Sequence, residues 1–415
     1  MITLRDRYDP KSNGLGLLRL GLALSVLVAH AWPLGLGRPN PGESLTRGQA
    51  DLGSLAVDGF FVLSGFLVAA SARRGNAARF LWHRVLRIFP GLWVCLLGTA
   101  VVATVTGHSG GLGFVRKNFL GAVHQWGIGT LFADTPYGRL VQGSVANGSL
   151  WSLVYELLCY CGLAALVVAG LPRRAPWVVP VLAAGAYVVI AADAVHDPTV
   201  PKYRGGLGPL PIWGYVDFQL AVYLGFLFLL GASMQLYAHR VVLHPAIAAG
   251  AALALLGSLV YGGFFAVGYP ALAYLLVYCA CVVPPRLHAV GREQDYSYGI
   301  YIYAFPVQQT VAHFGGASWG LLPYITVCLP LVLLVAAASW HLVERPALAL
   351  KHRPLLFARW GFRLSGAGLS ARRSSPRFTH RRSADPEPPA TGGPRSTPTA
   401  SAGSLAGTGR SSSGS

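Results

Sequence analysis

Apolar stretches of about twenty residues recur along the chain, separated by short polar or glycine-rich segments. A stretch of that length crosses a bilayer as a helix, because hydrocarbon offers no partner for an unpaired backbone N–H or C=O. The pattern predicts ten spans, at 14–36, 52–71, 88–107, 150–170, 176–194, 214–237, 241–261, 264–283, 296–314 and 319–343. The fifth, seventh and ninth carry the weakest pattern. The ninth is aromatic and polar, and only Gly262 and Gly263 separate the seventh from the eighth, enough for a tight hairpin. The predicted fold class is an all-α polytopic membrane protein of about ten transmembrane helices. After Pro354 the pattern stops. Ser, Pro, Gly and Arg dominate, a composition that cannot bury a core, and 366–415 is expected to be disordered.

Composition supports the membrane class: 53% of the 415 residues are hydrophobic and only 12% are charged. The net charge of +18 raises the question of nucleic acid. The charges lie mostly in alternate loops and in the tail, and no basic groove interleaved with stacking aromatics is present, so a nucleic-acid partner is not expected. Arg5, Arg7 and Lys11, then Arg73, Arg74, Arg79, Arg84 and Arg87, and later Arg173, Arg174, Arg240, Arg286 and Arg292 fall on one side. The excess puts both termini in the cytoplasm, with the plasma membrane as the expected location. The organisation expected is a cytoplasmic lead over 1–13, a ten-helix domain over 14–350 and a basic, largely disordered cytoplasmic tail over 351–415. The long outer loops, 108–149 and 195–213, carry Gly, Pro, Trp and Tyr with few charges, and are expected to cover the outer mouth. All six cysteines fall in apolar runs without C-x-x-C or His/Cys spacing, so neither a disulfide framework nor a metal site is indicated.

Ionisable residues inside spans are costly and mark function. The first run, LRLGLALSVLVAH at 18–30, holds Arg19 and His30. A spacing of eleven returns to within roughly 20° on a helix and separates them by roughly 16 Å along its axis. Depth counting places Asp58, Glu156, Gln308 and Gln309 in the outer layer with His30, arriving from four helices. Tyr155 and Gln308 are the polar residues expected on the acceptor side. A neutral histidine held by a carboxylate can act as a general base. Arg19 shares the inner layer with Arg84 and Arg87, whose i, i+3 spacing sets two guanidinium forks on one helix face, suited to phosphate. A basic layer beneath a base suits acyl transfer, with a coenzyme A donor arriving from inside and a hydroxyl acceptor activated near the outer side. The alternative is a proton-coupled transporter or exporter that uses the same His/Asp/Glu cluster as a relay. The chain shows neither an internal repeat nor a matched pair of broken spans to support it.

In these segments the chain resembles the membrane acyltransferase-3 family, multipass proteins that O-acylate carbohydrates and other hydroxyl acceptors. The resemblance runs over roughly 14–350. It rests on Arg19-x10-His30, DGFFVLSGFL at 58–67, RVLRIFP at 84–90, NGSLWSLVYE at 147–156, DYSYGIYIYAFP at 295–306 and VERP at 343–346. It implies acyl-coenzyme A, often acetyl, as co-substrate, with no permanently bound cofactor and a glycan, glycolipid or other hydroxyl acceptor. It assigns the catalytic role to His30, with Arg19, Arg84 and Arg87 needed for activity and Asp58 and Glu156 at acidic motif positions. Where many relatives carry a second histidine, two residues before the proline of YAFP, this chain has Ala304. No fused SGNH-type esterase domain is expected, so an acyl group handed onward would need a separate receiving protein. Asn147-Gly148-Ser149 matches a glycosylation sequon but reads as structural, and Ser64 reads as an interhelical hydrogen-bonding residue.

Overall fold

The computed structural model of the protein describes residues 2–72, 76–105, 147–210 and 214–352. Arg73, Arg74, most of the 108–149 loop and nearly all of the tail lie outside the described residues. Ten helices occupy the ten apolar runs: α1 (Leu15–Leu36), α2 (Leu52–Ala72), α3 (Ala77–Val105), α4 (Trp151–Val168), α5 (Val178–His196), α6 (Phe218–Leu236), α7 (Pro245–Tyr261), α8 (Tyr269–Val282), α9 (Ser297–His313) and α10 (Leu321–Ser339). The protein is an all-α, multi-pass membrane fold. Eight of its helical segments have the length and apolarity of a membrane crossing; α7 and α9, with 17 residues each, complete the ten.

Two boundaries differ from the sequence reading. Helix α3 starts at Ala77, eleven residues before the predicted span, so Arg84 and Arg87 sit within the helix. Helix α7 starts only at Pro245, where proline suits the first turn and the His244 ring accepts the Ala246 N–H. Residues 241–244 are drawn away by the N-terminus: Leu4 N–H donates to Val241 O, and Thr3 bridges Val242. The lead over 1–13 is thus partly docked. Leu4 is fully buried, and Tyr8 sets its ring edge-on to Phe66.

Helix α2 is the central column, with 67% of its span buried against 22% for α5 and for α10. Its main partner is α6, and glycines permit the approach. A Cβ on Gly65 would lie 1.9 Å from Phe228 O, and one on Gly231 would lie 2.1 Å from Val62 O. Close backbone contact through small residues is how membrane helices gain packing without a hydrophobic driving force. Consecutive helices alternate in direction, so the start of α1, the start of α3 and the end of α10 share one face, here the N-terminal face. The far face holds the end of α1, the start of α2 and an antiparallel hairpin, Gly206–Leu210 with Gly214–Asp217. Arg204 beside that hairpin clamps Asp193 of α5 through two bonds of 2.6 Å.

Candidate active site

The charged layer forms where α1, α3, α9 and the end of α10 meet. Arg19 Nη1 lies 2.9 Å from Asp295 Oδ2, and Arg87 Nη2 lies 2.7 Å from the same oxygen. Arg87 Nη1 reaches Glu344 Oε2 at 3.2 Å. A π-helical turn, Trp340–Glu344, continues α10 and brings Glu344 into the bundle, where Ser339 donates to its other oxygen. The Arg87 guanidinium lies over the rings of Tyr298 at 5.3 Å and Trp340 at 5.9 Å. Burial pushes the Asp295 carboxyl up, but Arg87 and Arg19 outweigh it and hold it below the usual carboxylate range. Asp295 and Glu344 belong to two of the quoted motifs, yet neither was singled out by the sequence. A carboxylate directly before a span and a glutamate closing an apolar run were the available signals.

Arg84, three residues from Arg87, has a different environment. Its guanidinium stacks over Phe80 at 5.9 Å and Tyr160 at 5.6 Å, and its Nε is buried without a hydrogen-bond partner. A cavity of about 120 Å³ extends inward from Arg19, Arg84 and Arg87 to Ser152 and Tyr301. Glu156 lines it, accepting hydrogen bonds from Ser64 at 3.1 Å and from Tyr160. Ser64 is therefore the interhelical hydrogen-bonding residue expected from its position. The Ser152 and Tyr301 hydroxyls meet at 2.7 Å and roof the cavity.

His30 stands above that roof. Its ring meets Phe305 edge-on at a centroid distance of 5.2 Å, and Phe305 lies one helical turn, about 6 Å, beyond Tyr301 on α9. Among the described residues, no hydrogen bond occupies either ring nitrogen of His30. The carboxylate whose charge reaches the ring is Asp51. Asp51 caps α2, accepting from the N–H groups of Gly53 at 2.6 Å and Ser54 at 3.0 Å. A Cβ on Gly53 would sit 3.2 Å from the Cβ of Ala29 and 3.0 Å from Asp51 Oδ1, which shows how closely this cap abuts α1 beside His30. Gln308 is at the same level: it donates to Leu27 O at 2.8 Å, and its Oε1 is buried without a partner.

The single outer layer of acids expected from depth counting is divided. Asp58 remains in the far half, where Tyr269 at the start of α8 donates to it at 3.3 Å. Glu156 joins the Arg84 cavity, because α4 starts deep. The described residues just before it pack inside the bundle, with Asn147 donating to Ile302 O at 2.8 Å and Gly148 pressed against the Phe305 ring. The sequon residue Asn147 is thus fully enclosed. Tyr155 accepts the N–H of Asp217 at 3.1 Å, beside the hairpin that leads into α6. The structure therefore brings Arg19 and Arg87 together on Asp295, places Arg84 in one cavity with Glu156, and leaves His30 on Phe305, apart from both carboxylates that the sequence reading put beside it.

The chain is thus a multi-pass helical bundle with a cavity lined by Arg19, Arg84 and Arg87 and with an unbonded histidine, His30, packed on Phe305. The chain belongs to the acyltransferase-3 family, described as an acyltransferase domain and matched over residues 12–341, and it is an acyltransferase. It is 31% identical over 349 residues to an O-acetyl transferase of Shigella phage Sf6, covering 81% of this chain and 96% of that protein. It is also 31% identical over 369 residues to Nodulation protein 10 of Rhizobium leguminosarum bv. viciae, covering 82% and 94% respectively. No solved structure matches the chain significantly.

Proposed function

We propose that the protein is a membrane O-acyltransferase that moves a short acyl group, acetyl, from acyl-coenzyme A to a hydroxyl of a carbohydrate or glycolipid. The observation that carries this reading is the unbonded His30 ring packed on Phe305, one helical turn from the Tyr301 that lines a cavity whose opposite end is cationic. The likeness to a phage O-acetyl transferase supports the acyl group and the oxygen acceptor. The excess of arginine and lysine at the N-terminal face supports a cytoplasmic placement for that face and for both termini, in the plasma membrane. The donor then arrives from the side where coenzyme A is made.

In the reaction, His30 accepts the proton of the acceptor hydroxyl as its oxygen attacks the thioester carbonyl. The tetrahedral intermediate collapses with cleavage of the C–S bond, and the imidazolium returns the proton to the departing thiolate. The products are the O-acyl ester and free coenzyme A. Asp51 stabilises the imidazolium. The Ser152–Tyr301 pair must part, or lie beside the path, for the thioester to reach His30.

General-base catalysis is worth about 10²–10⁴-fold. His30→Ala is expected to insert normally and to lose at least about a hundredfold in thiol release from acetyl-coenzyme A with acceptor present. Asp51→Asn is expected to lose less, with the loss in kcat rather than KM. A fully active, correctly inserted His30→Ala protein would end the assignment.

A further inference from the structure

Ser152 and Tyr301 carry two hydroxyl protons between them, and only one of these has an acceptor. Their oxygens meet at 2.7 Å, and among the described residues neither hydroxyl makes another hydrogen bond. Both residues are buried. A buried hydroxyl proton without an acceptor is unfavourable unless a ligand supplies one. The pair borders the cavity that reaches Arg19, Arg84 and Arg87. Tyr301 also lies one turn, about 6 Å, from Phe305, the ring on which His30 packs. The spare proton therefore sits between the cationic cavity and the base, on the course a thioester carbonyl takes to meet an acceptor at His30. Its place is fixed by neighbours on both helices. Phe60 meets the Tyr301 ring edge-on at a centroid distance of 5.7 Å. Asn147 donates to Ile302 O at 2.8 Å and Gly148 presses on Phe305, which ties the start of α4, with Ser152, to the part of α9 that carries Tyr301.

We propose that Tyr301 is the oxyanion donor of the transfer and that Ser152 positions its hydroxyl. This deepens the acyltransferase reading above and rests on it. Ser152 donates to the Tyr301 oxygen and leaves the phenolic proton free for the thioester carbonyl oxygen. As the acceptor oxygen adds to the carbonyl carbon, the C=O π pair moves onto the carbonyl oxygen. The Tyr301 O–H then tightens its hydrogen bond to that charge and keeps its proton. When the C–S bond breaks, the electron pair returns and the carbonyl re-forms. A phenol is far more acidic than an aliphatic hydroxyl, and a hydroxyl that already accepts a bond donates more strongly, so Tyr301 is the better donor of the two. A donor held in place before the reaction and away from water costs no reorganisation when the charge appears. The pair thus stays joined and flanks the path to His30.

The test uses the full chain in nanodiscs with acetyl-coenzyme A labelled isotopically at its carbonyl carbon. It reads the infrared carbonyl stretch of the bound thioester and the rate of thiol release with octyl glucoside as hydroxyl acceptor. Tyr301→Phe is expected to bind acetyl-coenzyme A with unchanged affinity, to raise the stretch above that of wild type, and to lose about 10²–10³-fold in kcat, the range for one oxyanion donor. Ser152→Ala is expected to lose less in kcat, again at unchanged affinity, and Ser152→Thr to restore it. A Tyr301 that only supports the fold would change stability or affinity and leave the stretch where it is. Should Tyr301→Phe fail to fold, 3-fluorotyrosine at position 301 keeps the ring and hydroxyl but donates more strongly, and the stretch should fall below that of wild type. A folded Tyr301→Phe protein with a wild-type stretch or a wild-type kcat, or a 3-fluorotyrosine protein with an unmoved stretch, overturns the assignment. If octyl glucoside is not acylated, the stretch alone decides. Wild-type protein that does not bind acetyl-coenzyme A ends the donor reading and this inference with it, whereas a Tyr301→Phe protein indistinguishable from an active wild type ends this inference alone.

Discussion

Arg87→Ala separates a strut from a ligand-binding arginine. In the folded protein Arg87 joins Asp295 at 2.7 Å and Glu344 at 3.2 Å, and its side chain is only 19% exposed. The two acids would respond differently to its loss. Asp295 would keep Arg19 at 2.9 Å and its bonds from Ser297. Glu344, whose side chain is 2% exposed, would keep only the Ser339 hydroxyl at 3.0 Å. Removing one partner of a buried pair costs about 3–5 kcal/mol, because the remaining charge stays buried and uncompensated. The surviving Arg19–Asp295 pair places the expected loss near the lower end, about 3 kcal/mol. Glu344→Ala alone strands less, since Arg87 keeps Asp295, and the double variant Arg87→Ala/Glu344→Ala removes the stranded carboxylate. Its loss of stability should be smaller than the sum of the single losses by about 1–3 kcal/mol. The assay is equilibrium unfolding of the purified variants in mixed micelles, followed by tryptophan fluorescence and combined as a double-mutant cycle. An additive cycle, or an Arg87→Ala protein as stable as wild type but unable to bind adenosine 3′,5′-bisphosphate, would refute the strut and return Arg87 to the phosphate-binding role expected from its spacing.

A further prediction concerns packing. Gly65→Ala would set a methyl against the Phe228 carbonyl, with backbone on both sides of the α2–α6 contact. Overpacking of this kind costs about 1–3 kcal/mol or more; wild-type yield and unfolding midpoint in Gly65→Ala would contradict the close crossing.

Much of the fold was legible in the sequence because a membrane helix satisfies its own backbone. Apolar length alone then marks where each helix lies, and ten runs became ten helices. Ionisable residues within such runs were equally visible, and Arg19, His30, Arg84 and Arg87 all lie on helices of the bundle. Boundaries failed where a local partner intervened, as at 241–244, which pairs with the N-terminus, and at 77–87, where helix persists beyond the apolar run.

The pairing of charges required the tertiary structure. Arg84 and Arg87 share one face by spacing, yet one stacks on aromatics beside a cavity and the other is held between two carboxylates. Counting residues from a span's edge put Glu156 level with His30, but α4 follows the buried Asn147 and Ser149 and so starts deep, where Glu156 meets Ser64 and Tyr160. Asp51, which the sequence reading did not single out, caps α2 where that helix abuts α1 at Ala29. Helix rotation and axial offset decide such meetings. They are set by contacts between segments, such as Gly65 on Phe228 and Gly148 on Phe305, that hydrophobic periodicity within one segment cannot encode.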